Sequence, residues 1–336
     1  AEPVLSKQSK LTDDVKSNAK GEKPVGFTMA EILLSLTIIG VVAAITLPSL
    51  TGNINERTWN TQRKALYARF SQAIALMPAL NGYGTLTEDS SSGADDAVDT
   101  VAETFVTSGL AKVLKINNIC DGEHLEDCGI TSKITTSNSV VSFPQNWQEL
   151  NPLMISASFT QGGTSWSHSM INSKAAAFET QNGESIAVFY NPYCRQEPVI
   201  LNGYIVPPLV CANFIYDLNG SKGPNTVGKD VGFMTASYSS DSQVVAPVLE
   251  HVGSDMVVFA DANKYCRTLD NARLPNKEEA IAMFVNKKFY SNLSNFIMTT
   301  SSPGLANRII HIDQNRAMLG VIVKDSATAK PVCIKR

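Results

Sequence analysis

The chain has 336 residues, 43% hydrophobic and 18% charged, which supplies a packed core and excludes a wholly disordered polymer. Lys+Arg number 28 and Asp+Glu 31, a net charge of −3 that argues against a dedicated nucleic-acid-binding domain. The four histidines are dispersed, which argues against a His-rich metal site, and the length suggests about two domains.

Residues 1–26 form a polar leader with five lysines (Lys7, Lys10, Lys16, Lys20, Lys23) and four acids (Glu2, Asp13, Asp14, Glu22), net +1. Phe27 to Leu47 then reads FTMAEILLSLTIIGVVAAITL, 21 residues with one charge, Glu31. About 20 apolar residues span a bilayer core as a helix, so the segment predicts a transmembrane helix with an exported C-terminal body. No small-residue cleavage site follows it, as a secretory signal requires. A carboxylate five residues into such a helix is expensive and needs a partner. Cleavage between Gly26 and Phe27 creates one, an α-amino group four residues from Glu31.

Gly26-Phe27-Thr28-Met29-Ala30-Glu31 and the apolar run resemble the class III signal of type IV prepilins and the related pseudopilins. The match has Gly before the cut, Phe as first mature residue and Glu as fifth, with Gly40 fourteenth and Pro48 twenty-second. The resemblance implies that prepilin peptidase cuts after Gly26 and N-methylates Phe27. Glu31 then pairs with the Phe27 amine of a neighbouring subunit, and other pilin subunits form a helical filament around it. It also implies a precursor in the bacterial inner membrane before assembly, and afterwards a place in a pilus at the cell surface or in the periplasm. Gly26 offers the protease a small, flexible residue, and Pro48 removes a helix hydrogen bond. A leader of 26 residues is long for the family.

After Thr51-Gly52-Asn53 a second helical pattern begins. Trp59, Leu66, Phe70, Ala73, Ile74, Met77 and Leu80 fall at helical spacing and predict one apolar face packed on the protein's own head. Arg57, Arg63, Lys64 and Arg69 lie opposite or at its edges, and Pro78 with Asn81-Gly82 ends it. Glu88 to Asp99 is an acidic Ser/Gly loop, and Val98 to Leu114 a short amphipathic helix. Residues 131–216 lose the helical period. Gln181-Asn182-Gly183 between two strand-like runs signals a hairpin, and Ala212 to Tyr216 reads as another strand.

Asp217-Leu-Asn219-Gly-Ser221-Lys-Gly-Pro-Asn225-Thr-Val-Gly-Lys-Asp230 follows. Alternating oxygen side chains suit a hard cation, so Asp217, Asn219, Ser221, Asn225 and Asp230 are candidate Ca²⁺ ligands. The rival reading is a rigid Asx/Gly/Pro turn held by its own hydrogen bonds. The loop also resembles the D-x-N-G…G-P-N…G-x-D loop that follows a strand in many pilin-like heads. The last 80 residues carry Ala262-Asn-Lys-Tyr-Cys266, Arg273-Leu-Pro275, Glu278-Glu279 and Val332-Cys333. They resemble a small C-type-lectin-like module, which implies binding or display rather than catalysis. The lectin calcium triplets are not visible.

Six cysteines in an exported chain read as disulfides, and of the 15 pairings we expect the sequential ones: Cys120–Cys128, Cys194–Cys211 and Cys266–Cys333. No C-x-x-C occurs, and the spacings do not fit zinc. There is no G-x-S-x-G, H-E-x-x-H, P-loop or G-x-G-x-x-G opening a helix. Ser167-His168-Ser169 sits in a Gly/Ser-rich stretch read as a surface loop, so no catalytic residue is expected.

The expected fold class is α+β: a long N-terminal transmembrane and amphipathic helix packed on an antiparallel β-sheet head, plus a C-terminal C-type-lectin-like α+β module. The expected parts are a leader (1–26), the helix (27–80, transmembrane 27–47), the head (81–250) and the module (255–336). The expected function is a non-enzymatic prepilin-type filament subunit whose head binds an unknown surface ligand. The alternatives are a type II secretion pseudopilin, a DNA-uptake minor pilin and, remotely, a membrane-anchored hydrolase. Nucleic acid is an unlikely partner at a mature charge of −4 (−3 less the leader's +1).

Overall fold

The structure, a computed structural model, describes residues 28–77, 100–152, 156–161, 164–169, 172–191, 199–201, 204–206, 210–236, 244–269, 271–290, 293, 296–299, 308–313, 318–323 and 328–335. By internal contacts the chain divides into Ala1–Asn55 and Glu56–Arg336.

The first unit holds the start of helix α1 (Met29–Leu76). Its large apolar side chains from Met29 to Val42 face solvent, from 48% exposed at Ile32 to 81% at Met29. Hydroxyls on this stretch turn inward: Ser35 donates to the Glu31 carbonyl and Thr37 to the Leu33 carbonyl. Such back-bonding satisfies the hydroxyls within the helix and leaves its surface more apolar.

The transmembrane expectation is corrected: among the described residues, no helix is long and apolar enough to cross a membrane. Glu31 interrupts the apolar run near its start, and the later part of α1 is studded with Glu56, Arg57, Arg63, Lys64 and Arg69.

The second unit is a mixed helix/strand fold around a large antiparallel sheet. Its six strands run in the order β1 (Ile116–Cys120), β6 (Ala176–Thr180), β7 (Ser185–Tyr190), β10 (Ala212–Asp217), β11 (Val231–Ala236) and β12 (Val244–Val245). Each neighbouring pair is antiparallel. The tight β6–β7 turn uses Gly183 at φ +82°, a left-handed conformation that side chains disfavour.

Strands β7, β10 and β11 are buried throughout, because both faces of the sheet are covered. Alternation along each strand sorts the side chains. Phe178, Ile186, Val188, Tyr190, Phe214, Tyr216 and Met234 pack with Leu66, Phe70, Ile74 and Met77 of α1. The helical segment that starts with α2 (Val101–Thr104) and ends at Lys112 adds Val101, Phe105 and Leu110 to the same face. Alternate residues Ala187, Phe189, Ile215 and Phe233 meet Trp147 of α3 (Trp147–Leu150) on the other face. Burying each large side chain stabilises by about 1.5–3 kcal/mol.

That second face is also covered from the C-terminal region. Helix α5 (Lys277–Val285) contributes Ala280, Ile281, Met283 and Phe284 to it, and Phe289, Tyr290, Val332 and Ile334 follow. The α5 N-terminus is held by a capping box between Asn276 and Glu279. Part of the C-terminal region thus completes the core of the large sheet, while Ala262, Cys266, Ala272, Leu274, Ala329 and Cys333 form a small cluster of their own. A further sheet joins the two regions by main-chain pairing, in the order β16 (Phe296–Met298), β17 (Arg308–Asp313), β18 (Met318–Val323), β9 (Tyr204–Val206) and β8 (Val199–Leu201).

Smaller pieces complete the unit. β13 (Leu249–Val252), β20 (Val332–Lys335) and β15 (Ala272–Arg273) form one sheet, and β14 (Val257–Val258) pairs with β19 (Thr328–Ala329) beside α4 (Phe259–Thr268). The hairpins β2 (Lys133–Thr135) with β3 (Val140–Ser142), and β4 (Ser156–Gln161) with β5 (Thr164–Ser169), are two-stranded sheets, and β2 bridges the β10–β11 connection at Thr135 and Thr226.

Candidate functional site

Gly26 and Phe27 lie outside the described residues. Glu31 is in the first turn of α1, three residues after Thr28. The Thr28 N–H and hydroxyl donate to Glu31 Oε2 at 2.8 and 2.9 Å, and the Glu31 N–H donates to Thr28 Oγ1 at 3.3 Å. This reciprocal pattern is a capping box and satisfies helix-end donors that otherwise lack partners. Within the single chain, the carboxylate serves its own helix.

Gly40 is exposed on α1, and a Cβ there meets nothing within 4 Å. The position thus accepts close approach from another body without any rearrangement of its own chain. Helix α1 runs unbroken through Pro48, whose side chain is outside the described residues.

The five candidate calcium ligands lie on or beside the β10–β11 connection. Asp217 ends β10 and pairs with Val231 of β11. Both carboxylate oxygens of Asp230 accept backbone N–H groups, Oδ2 from Asn225 and Oδ1 from Thr226, each at 2.8 Å. Asp217 Oδ1 accepts the Asn219 N–H at 3.1 Å. The Asn219 amide donates to the carbonyls of Lys222 and Gly223, and Ser221 is exposed. These bonds make a self-closed clasp rather than an open ring of oxygens. Two acceptors remain, Asn219 Oδ1 and Asn225 Oδ1, buried without a hydrogen-bond partner. The donations of Asn219 to two carbonyls fix its amide orientation, so its oxygen cannot be exchanged for a nitrogen by a flip. Among the described residues, no group of three or more His, Cys, Asp or Glu is placed to hold a metal.

Burial pushes the Asp217 carboxyl up to about 7; the N–H of Asn219 opposes the rise and the charge of Asp230 adds to it. Helix α1 grips the same loop. Arg63, predicted on the polar side, is buried, and its Nη2 donates to the carbonyls of Gly228 at 3.0 Å and Lys229 at 2.8 Å. Arg69, also expected on the polar side, pairs with Glu184, a buried carboxylate that also accepts from the Thr180 hydroxyl. No spacing in the sequence points to either contact, since the partners lie over a hundred residues away.

Cys120 and Cys128 are bonded with Cα atoms 6.0 Å apart, and Cys266 and Cys333 with Cα atoms 5.4 Å apart. Cys211 is also in a disulfide, while Cys194 is outside the described residues. Ser167, His168 and Ser169 are in β5 rather than in a loop.

No family model matches the chain, and no curated protein or solved structure matches it either.

Proposed function

We propose that the chain is a prepilin-type subunit, cleaved after Gly26 and N-methylated at Phe27, that assembles into a type IV pilus-like filament and displays its large head for adhesion or binding. The observation that carries this reading is the leading part of α1. It exposes Met29, Ile32, Leu33, Leu34, Leu36, Ile38, Ile39, Val41 and Val42 behind a Gly-Phe junction. A contiguous apolar surface of this kind marks an interaction site. The same helix on neighbouring copies covers it best, because identical apolar faces pack without needing polar complementarity. The open surface at Gly40 suits that close approach. Burial of nine such side chains supplies the driving force, and Glu31 with a neighbour's Phe27 amine sets the register.

A type II secretion pseudopilin uses the same helix and remains the second reading, because the signal residues are common to both. Mass spectrometry of filaments sheared from the native cells separates them. The filament reading expects a peptide beginning at N-methyl-Phe27 in the sheared fraction. Abundance there marks a shaft subunit, and scarcity a tip or minor subunit. Cleavage after Gly26 seen only in the membrane fraction overturns the surface filament in favour of the pseudopilus. An uncut Gly26–Phe27 bond in native cells overturns both.

A further inference from the structure

The C-terminal region carries a cleft of about 320 Å³ that the assembly reading does not use. One wall is a stripe of α4, where Asp261, Lys264, Tyr265 and Thr268 follow at i, i+3, i+4 and i+7 and so share one face. The turn at Gly253–Asp255 makes another wall, and Val257 and Pro331 add apolar surface.

These walls are fixed by the fold. The Gly253 N–H donates to the Pro331 carbonyl at 2.8 Å. A Cβ at Gly253 would lie 2.5 Å from Pro331 Cγ and 3.6 Å from Tyr265 Cε1, so only glycine lets the turn close on both. Cys266, next to Tyr265, is bonded to Cys333, and β14 pairs with β19 just ahead of Pro331.

The charged groups of the cleft take no part in holding it together. Asp255, Asp261 and Lys264 are exposed, and none of their side chains makes a hydrogen bond or ion pair among the described residues. Arg273 with Glu279, by contrast, forms a close two-pronged pair nearby. A preorganised cleft whose charges are unspent is suited to a ligand.

We propose that this cleft binds a basic side chain, arginine or lysine, of a partner polypeptide. Two carboxylates against one ammonium leave the cleft one negative charge, which a single cation balances. The half-buried ring of Tyr265 offers a cation–π face, and Val257 and Pro331 take the methylene stem. Lys264 meets the backbone carbonyl of the same residue, an acceptor every peptide supplies. The volume is near the lower end for ligand pockets, about 300–1,000 Å³, and matches one long side chain with its own backbone. An anionic ligand meets the two carboxylates unfavourably, and a neutral polyol leaves the charge unbalanced.

The proposal goes beyond the filament reading and stands or falls without it, since binding is measured on the full chain in solution. Fluorescence anisotropy compares a labelled Gly-Arg-Gly peptide with its citrulline twin, which has nearly the same shape and no charge. The arginine peptide is expected to bind about tenfold or more tighter, and to weaken as salt is raised. The double variant D255N/D261N is expected to lose that preference, while E126Q, an exposed acid outside the cleft, keeps it. Matching thermal melts show that the variants are folded. Equal affinity for the two peptides, no binding of either, or a double variant that binds as the wild type overturns the proposal. Binding of neutral saccharide in preference to the arginine peptide overturns it too.

Discussion

At the scale of single residues, the proposed filament would give Glu31 two separable roles. Its capping box with Thr28 needs only a side-chain acceptor at the third helical position, and glutamine serves there as well as glutamate. Pairing with a neighbour's amine needs the charge. We therefore expect E31Q to keep the helical content of the wild type but to fail to enter filaments. E31A should fail in assembly and also lose the capping box, with a measurable drop in helix content. Normal incorporation of E31Q, scored by counting the chain in sheared filaments, would leave Glu31 with the cap alone. Asp217 gives a second residue-scale test. Its folded carboxyl titrates near 7, against about 3.9 for an unfolded Asp. Between those values the folded state keeps a proton that the unfolded state gives up, so stability falls as pH rises through the window and levels off above it. D217N removes the charge while keeping an oxygen for the Asn219 N–H. It should melt higher than the wild type at pH 8, by about 1–3 kcal/mol in stability, and alike at pH 4. Identical pH profiles for the two proteins would refute the buried charge. The same melts read calcium: the closed clasp predicts no shift when it is added. A calcium-dependent rise that D217N abolishes assigns the ion to this loop.

Among elements, legibility followed the range of the interaction. The apolar stripe of α1 could be read because a helix repeats locally, and Leu66, Phe70, Ala73, Ile74 and Met77 are all buried. The β6–β7 turn could be read because a left-handed position asks for a residue such as Gly183. Arg63 could not, because its burial depends on two carbonyls 165 and 166 residues further on. Nor could the covering of the second sheet face. Strands β7, β10 and β11 show no polar face, and composition alone does not say which helix covers the far side. Asn213, inside β10, is where the end of α5 is fastened. Its amide and that of Asn286 exchange hydrogen bonds at 2.9 and 2.8 Å, and Thr235 donates to the same Asn213 oxygen at 3.0 Å. Both asparagines are fully buried, so removing one strands the other. N286A should cost about 2–3 kcal/mol in urea unfolding, and a double variant N213A/N286A less than the sum of the singles. Additive losses would mean that the pair does not act as a unit. The clip between Arg69 and Glu184 makes the same kind of prediction with a different sign of dependence. R69A leaves the buried Glu184 carboxylate with its Thr180 hydroxyl alone, while the double variant R69A/E184Q relieves that charge and should recover part of the loss.

For the whole molecule, the two ends of α1 place opposite demands on solvent. From Leu66 onward, Leu66, Phe70, Ile74 and Met77 are buried against the chain's own sheet. From Met29 to Val42 its apolar side chains are left in water. A side chain such as Leu36 at 61% or Ile39 at 63% exposure gains little by folding of the single chain, and the proposed filament would bury it by association. The consequence is concentration-dependent assembly of the full chain, with the head unaffected. Replacing Leu36 and Ile39 by aspartate should abolish self-association in sedimentation velocity, because a charge buried in an apolar contact is strongly disfavoured. The stability of the head in urea unfolding should stay within about 0.5 kcal/mol of the wild type, since these side chains lie on exposed helix surface. An L36D/I39D chain that still assembles would move the self-association surface away from α1. A chain that loses head stability as well would show that this stretch packs on the head in solution, and the separation of a consumed and an unspent half of the helix would fail with it.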